Sequence, residues 1–198
     1  MSPEEALQLV LDKLEGCGID YMITGSFASN MHGVPRTTYD ADIVIEIETG
    51  SLDEFIRSLG NEFYASREAA REAVSSRSMF NVIHLESGFK IDFITRKAGT
   101  FSKEEFSRRE KGAFLGGSRW FTTPEDVILT KLEWSKLGES ERQFVDAVNV
   151  AKVQKENRID PTSKNGRRNL VFKSSCNAFS KSYPASEILS LMRQEVQL

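Results

Sequence analysis

A chain of 198 residues with 39% hydrophobic and 28% charged residues is sized and composed for one globular core with room for a small helical appendage. Its net charge of -3 gives no reason to expect tight binding to a nucleic-acid backbone, and its two cysteines, Cys17 and Cys176, have no spacing suited to zinc or a disulfide framework. No run approaches the ~18 apolar residues that span a bilayer, and the acidic, amphipathic start MSPEEALQLVLDKLEG is unlike a signal peptide, so a cytoplasmic location and no membrane partner are expected.

Ser2-Pro3-Glu4-Glu5 reads as a helix start, with a serine cap, proline in the first turn and acids facing the positive dipole end. Leu7, Val10, Leu11 and Leu14 recur at helical spacing until Gly16 and Gly18 stop the helix. The stretch YMITGSFASNMHGVPRTTYDADIVIEI follows and organises the rest. It predicts a strand over Tyr21 to Thr24, a Gly25-Ser26 turn, a short helix, a bend at Gly33-Val34-Pro35-Arg36, and a second strand through Ile47. Side chains alternate along a strand, so Asp40 and Asp42 share one face while Ala41, Ile43, Ile45 and Ile47 take the other. Two adjacent carboxylates on a rigid strand repel each other, a cost tolerated when a divalent cation such as magnesium lies between them. The Gly-Ser turn opens a helix whose free N–H groups and dipole suit a phosphate.

Downstream, Ser51-Leu52-Asp53-Glu54 predicts a capped helix with Phe55, Ile56 and Leu59 buried, ending at Gly60, and Ser66 to Ser76 predicts a charged one. Met79 to Leu85 and Phe89 to Thr95 read as a hairpin turning at Ser87-Gly88. In its second strand Lys90, Asp92 and Ile94 face away from Ile91 and Phe93; beside the Asp40 strand, Asp92 would complete a three-carboxylate cluster. Phe101 to Lys111 predicts a short helix, then a loop or strand runs through Gly116-Gly117 to Phe121. Thr122 to Asp126 starts a helix, EDVILTKLEWSKL, expected to turn Val127, Leu129 or Thr130 and Trp134 towards the core. The helix SERQFVDAVNVAKVQ follows, with Phe144, Val145, Val148 and Val153 apolar.

The Gly25-Ser26 turn, Gly33, Arg36, Thr38 and the Asp40-x-Asp42 pair resemble the signature of the polymerase-beta-like nucleotidyltransferase superfamily, over roughly the first four-fifths of the chain by pattern. More narrowly, the chain resembles small bacterial nucleotidyltransferase-like proteins related to abortive-infection and toxin–antitoxin enzymes. The resemblance implies an α/β (α+β) fold: a small mixed sheet flanked by helices, with C-terminal helices. The chain is expected to divide into a core over 1–121, a helical part over 122–157 and, by composition, an atypical tail over 158–198. The resemblance implies that Asp40, Asp42 and Asp92 bind two magnesium ions, with Asp92 also activating the acceptor hydroxyl, and that Gly25 and Ser26 hold the triphosphate. Arg36 and Lys131, the latter in PEDVILTKLEW, would neutralise phosphate charge. The implied reaction moves a nucleoside monophosphate from a nucleoside triphosphate to an acceptor (protein, tRNA or small molecule), releasing pyrophosphate, with a cognate toxin or antitoxin as a partner.

Plainer roles stand beside these. Gly25 serves as a turn glycine, Ser26 as a helix cap, Arg36 as a salt-bridge residue and Lys131 as a solvated helix lysine. His32 and His84 lack partner spacing and read as structural; Trp120, Phe121 and Trp134 read as core or pocket wall. A catalytically silent relative and an antibiotic-modifying nucleotidyltransferase are the alternative functions.

The tail PTSKNGRRNLVFKSSCNAFSKSYP lacks apolar periodicity and is rich in Ser, Asn, Lys and Arg, so composition predicts a poorly ordered basic segment. Arg158, Lys164, Arg167 and Arg168 belong to it and are read as solvated rather than as a nucleic-acid patch. A second reading is a frameshift near residue 160: an alternative reading frame allows an amphipathic, tryptophan-containing segment of the kind that ends relatives of this chain. The coding DNA decides between the two.

Overall fold

Apolar runs with strand periodicity, separated by capped helices, build a seven-stranded mixed sheet in the computed structural model, which describes residues 1–157. The tail and its frameshift reading lie outside those residues. The first strands are β1 (Asp20–Thr24), β2 (Asp40–Glu46), β3 (Phe63–Tyr64) and β4 (Met79–His84). They are followed by β5 (Lys90–Thr95), β6 (Glu110–Phe114) and β7 (Gly117–Phe121). Their spatial order is β3-β4-β5-β2-β1-β7-β6. β2 runs parallel to β5 and antiparallel to β1; β1 runs parallel to β7.

The chain forms two compact units. The first comprises Met1–Phe27 and Thr37–Phe121 and holds the whole sheet with α1 (Pro3–Gly16), α3 (Thr49–Ser58), α4 (Arg67–Ser76) and α5 (Thr100–Arg108). The second comprises Ala28–Arg36 and the described residues from Thr122 on, and holds α6 (Pro124–Gly138) and α7 (Glu141–Asn157). α2 (Gly25–His32) starts in the first unit and ends in the second.

In the first unit both sheet faces are covered. Ile43, Ile45, Ile91 and Phe93 are fully buried on one face. There Phe93 stacks on Phe80 at 5.2 Å and meets the Phe55 ring of α3 edge-on at 5.3 Å. On the other face Met22, Val44 and Ile94 pack with Phe106 of α5. α1 opens on a complete capping box: Ser2 Oγ accepts from the Glu5 N–H, and Glu5 returns the bond to the Ser2 N–H. Arg119 of β7 ties this helix to the sheet by pairing with Asp12 and with Glu15 Oε2 at 2.8 Å, while Tyr21 donates to Glu15 Oε1 at 2.6 Å.

Three local expectations are corrected. α3 begins at Thr49, so Ser51 lies inside the helix, and Glu48, the residue at its cap, makes no side-chain capping bond. The predicted helix over Phe101 to Lys111 ends at Arg108, because the chain turns extended at Arg109 and enters β6, an edge strand absent from the sequence reading. Trp134 is 57% exposed instead of near the core. α6 is buried on all sides from Pro124 through Leu129, so its early turns present no stripe that continues to Trp134. On α7 it is Ala147, Val150 and Ala151 that are buried, while Val145 is exposed. Small residues there allow a close approach: a Cβ on Gly33 would lie 2.9 Å from Val150 Cγ2. Among the described residues no helix is long and apolar enough to cross a membrane.

Candidate active site

The parallel pairing of β2 with β5 decides what faces what. Asp40 is opposite Lys90 and Asp42 opposite Asp92, and the next rung on that face is Val44 opposite Ile94. Because side chains two apart share a face, Asp40, Asp42, Lys90 and Asp92 form a two-by-two array on one side of the sheet. The Asp42–Asp92 rung extends to Thr24 on β1 and to Asn81 on β4. The polar array therefore ends where α5 begins to cover the same face: Phe106 packs over Met22, Val44 and Ile94, the residues one rung along.

The array is crowded with negative charge. Asp92 is only 6% exposed; its Oδ2 accepts from Lys90 Nζ at 2.7 Å, and its Oδ1 is buried and finds no hydrogen-bond donor among the described residues. A buried carboxylate oxygen left without a donor is costly, which makes it a position that favours an added cation. Asp40 is steadied by Thr38, whose Oγ1 lies 3.1 Å from Asp40 Oδ1. Lys90 binds its proton more tightly than an ordinary lysine: the hydrogen bond to Asp92 is the main cause, burial opposes it, and Asp92, Asp40 and Asp42 all add attraction. Its ammonium thus feels all three carboxylates.

Gly25 shapes the neighbouring corner. Its φ is +59°, a left-handed conformation that side chains disfavour, and a Cβ there would overlap Asp42 Oδ2 and lie 2.8 Å from Asp42 Cγ. The backbone at the head of α2 therefore lies directly against the Asp42 carboxylate, with Ser26 next in the first turn. Phe27, which completes the first-unit part of this helix, meets Phe89 and Phe114 edge-on at 6.4 and 5.7 Å.

These residues suit a hard divalent cation in their chemistry: oxygen donors, an excess of negative charge and one orphaned buried oxygen. Side-chain convergence is incomplete, since among the described residues no group of three or more His, Cys, Asp or Glu side chains is gathered as a metal cage. The Lys90 ammonium, bound to Asp92 Oδ2, stands among them.

The second unit holds the other two residues that the sequence singled out. Arg36 clasps Asp146 with both arms, Nε to Oδ1 at 2.9 Å and Nη2 to Oδ2 at 2.8 Å. Lys131 Nζ donates to Asp146 Oδ2 at 3.0 Å. Asp146 and Lys131 are each 5% exposed. Burial pushes the Asp146 carboxyl up, but the hydrogen bonds from Arg36 and Lys131, with their charges, outweigh it and hold it below the usual carboxylate range. Asn30 fixes the bend that delivers Arg36, accepting from the Arg36 N–H at 3.0 Å and donating to its carbonyl at 2.7 Å. His32 and His84 have structural partners: His32 Nε2 bonds the Thr122 carbonyl at 2.7 Å and His84 Nδ1 the Ser87 hydroxyl at 2.8 Å.

Sequence reasoning passed over two residues. Lys90 is visible in KIDFIT as the same-face neighbour of Asp92, two residues away, but which acid it also faces depends on the β2–β5 register. Asp146 lies in ERQFVDA among helical apolar positions, where only the fold reveals two cations converging on it.

The fold has known counterparts. The lincosamide antibiotic adenylyltransferase LnuA, in a lincomycin-bound crystal structure, superposes with a TM-score of 0.54 at 14% identity, over 76% of this chain and 97% of that one. An antigenic nucleotidyltransferase-like protein from Paracoccidioides brasiliensis superposes with a TM-score of 0.52 at 15% identity, over 98% of this chain and 88% of that one. No protein-family model matches the chain, and no curated protein sequence matches it. The mixed α/β architecture is the nucleotidyltransferase fold.

Proposed function

We propose that the chain is a magnesium-dependent nucleotidyltransferase that moves a nucleoside monophosphate from a nucleoside triphosphate to an acceptor hydroxyl. The observation that carries this reading is the rung pairing Asp42 with Asp92, one oxygen of which is buried with no donor among the described residues, beside a position at Gly25 where a side chain would overlap Asp42. Asp40, Asp42 and Asp92 are the residues that would hold magnesium, which supplies charge neutralisation for phosphate oxygens when bound. Gly25 and Ser26, at the head of α2 and next to the Asp42 carboxylate, are the residues that would face the triphosphate. The acceptor oxygen attacks the α-phosphorus, the α–β anhydride bond breaks, pyrophosphate leaves with the bonding electron pair, and the hydroxyl proton passes to the Asp92 carboxylate.

Arg36 and Lys131, which the resemblance offers as charge-neutralising residues, both bind Asp146 within the second unit, and their part in the reaction rests on that resemblance. The acceptor is a protein side chain, a tRNA end or a small molecule, and a toxin–antitoxin or phage-defence setting belongs to the same reading through the resemblance. The test is incubation with each labelled triphosphate, with and without magnesium, in the presence of cell lysate. Magnesium-dependent label on an acceptor is the expected result; label that survives in the Asp42→Asn variant overturns the mechanism.

One specific observation favours a second reading, antibiotic modification: the superposed LnuA structure holds lincomycin. Lincomycin supplied as sole acceptor distinguishes the two, since only this second reading expects an adenylylated drug.

A further inference from the structure

Lys90 has no role in the reaction just described, yet it stands inside the acid array. Its Cα is the register partner of Asp40, its Nζ lies 2.7 Å from Asp92 Oδ2, and Asp42 completes the square. The lysine brings one positive charge to three carboxylates and offsets part of their attraction for a divalent cation. Asp92 offers that cation only Oδ1, because Oδ2 is held by the lysine.

We infer that Lys90 is a resident counter-cation, standing in for the second of two divalent ions, so that this chain takes up one divalent cation where three free carboxylates would take two. The inference rests on the metal-binding reading above and sharpens it by naming a residue that sets metal stoichiometry and affinity. Lys90 is a positioning residue here: it fixes Asp92 Oδ2 and acts on the metal through that carboxylate. The half-exposed lysine stem allows the ammonium to stay solvated while it does so.

Manganese binding to the full chain, counted by the loss of the free-ion electron paramagnetic resonance signal, tests this without any turnover. Wild type is expected to bind one ion per chain. Lys90→Met, similar in length but uncharged, is expected to bind two, the first held tighter by about tenfold or more because the array has lost its internal cation. Without metal the same variant melts lower by about 2–4 °C, and manganese restores it. Lys90→Arg keeps the charge and behaves as wild type. Equal stoichiometry and affinity in wild type and Lys90→Met overturn the inference, as does a Lys90→Met protein that folds but no longer binds. Asp42→Asn separates this failure from a deeper one. If it loses manganese while Lys90→Met matches wild type, only the role of Lys90 falls; if it binds manganese as wild type does, the metal reading falls and this inference falls with it.

Discussion

The acid array and the Asp146 cluster handle charge in opposite ways. On the β2–β5 rungs three carboxylates share one lysine, and a buried oxygen of Asp92 has no donor among the described residues. Around Asp146 the ratio is reversed: one carboxylate, with both oxygens engaged, takes a two-armed arginine and a lysine. A buried acid surrounded by its own cations is a finished structural unit, and deleting it leaves unpaired positive charge. An acid cluster short of cations is unfinished, and is held in place at some cost to the fold. The two clusters should therefore respond to charge removal with opposite signs in stability, and only the unfinished one should respond mainly in activity.

The largest expected effect is on the array. Asp42→Asn keeps size and hydrogen-bonding shape but removes one charge, and should lower transfer by about a hundredfold or more, read with labelled triphosphate and magnesium. Its melting temperature should be unchanged or raised, because a repulsion among Asp40, Asp42 and Asp92 is relieved. A clear fall in melting temperature would show that Asp42 is a structural acid like Asp146, and the contrast would collapse.

Asp146→Asn is the converse. It strips a buried carboxylate from Arg36 and Lys131 and should cost about 3 kcal/mol, a drop of roughly 6–12 °C for a chain of this size. The low end of the range for broken buried pairs applies because the Arg36 side chain is 28% exposed and can recruit water. Calorimetry of the two variants side by side measures the sign difference directly.

Gly25→Ala probes the array from its backbone side. A left-handed φ costs a non-glycine residue about 1–2 kcal/mol, and the added methyl meets Asp42 Oδ2. A loss of about 2 kcal/mol and roughly 4–8 °C is expected in thermal unfolding, with Asp42 displaced and metal affinity reduced. A normally stable Gly25→Ala protein with intact metal binding would mean that the close approach of backbone to carboxylate is not needed.

How much of this could be read in advance depends on whether a feature is local. The Asp40/Asp42 pairing on one face, the Ser2 cap and the hairpin turn near Ser87-Gly88 follow from periods of two and from residues within a few positions. That Asp92 is the rung partner of Asp42 needed only the assumption that β5 lies beside β2, and the acid in KIDFIT justified making it. Features set by register or by long-range packing were not legible. Lys90 opposite Asp40 depends on a parallel register with no sequence signal. β6 is short, edge-placed and of alternating exposure, so the charged residues of EKGAF extended the helical pattern instead of ending it. Trp134 was misplaced because tertiary burial surrounds the start of α6 and overrides its amphipathic period. Asp146, too, is silent in sequence because its partners lie 110 and 15 residues away.

The smallest effect is in pH, and its sign tests the Asp146 cluster. Asp146 titrates below its unfolded value because the hydrogen bonds and charges of Arg36 and Lys131 outweigh its burial. The unfolded chain therefore takes up this proton at a higher pH than the folded one. The stabilisation from Asp146 is complete above its unfolded pKa of about 3.9 and is lost as pH falls through the lower folded value. The stability gap between wild type and Asp146→Asn should accordingly be constant near neutrality and shrink as pH falls from about 5 towards 2, measured by denaturant unfolding at each pH. A gap that widened in acid for Asp146→Asn would mean that its carboxyl is held neutral, and the account of Asp146 as a satisfied anion between two cations would have to be abandoned.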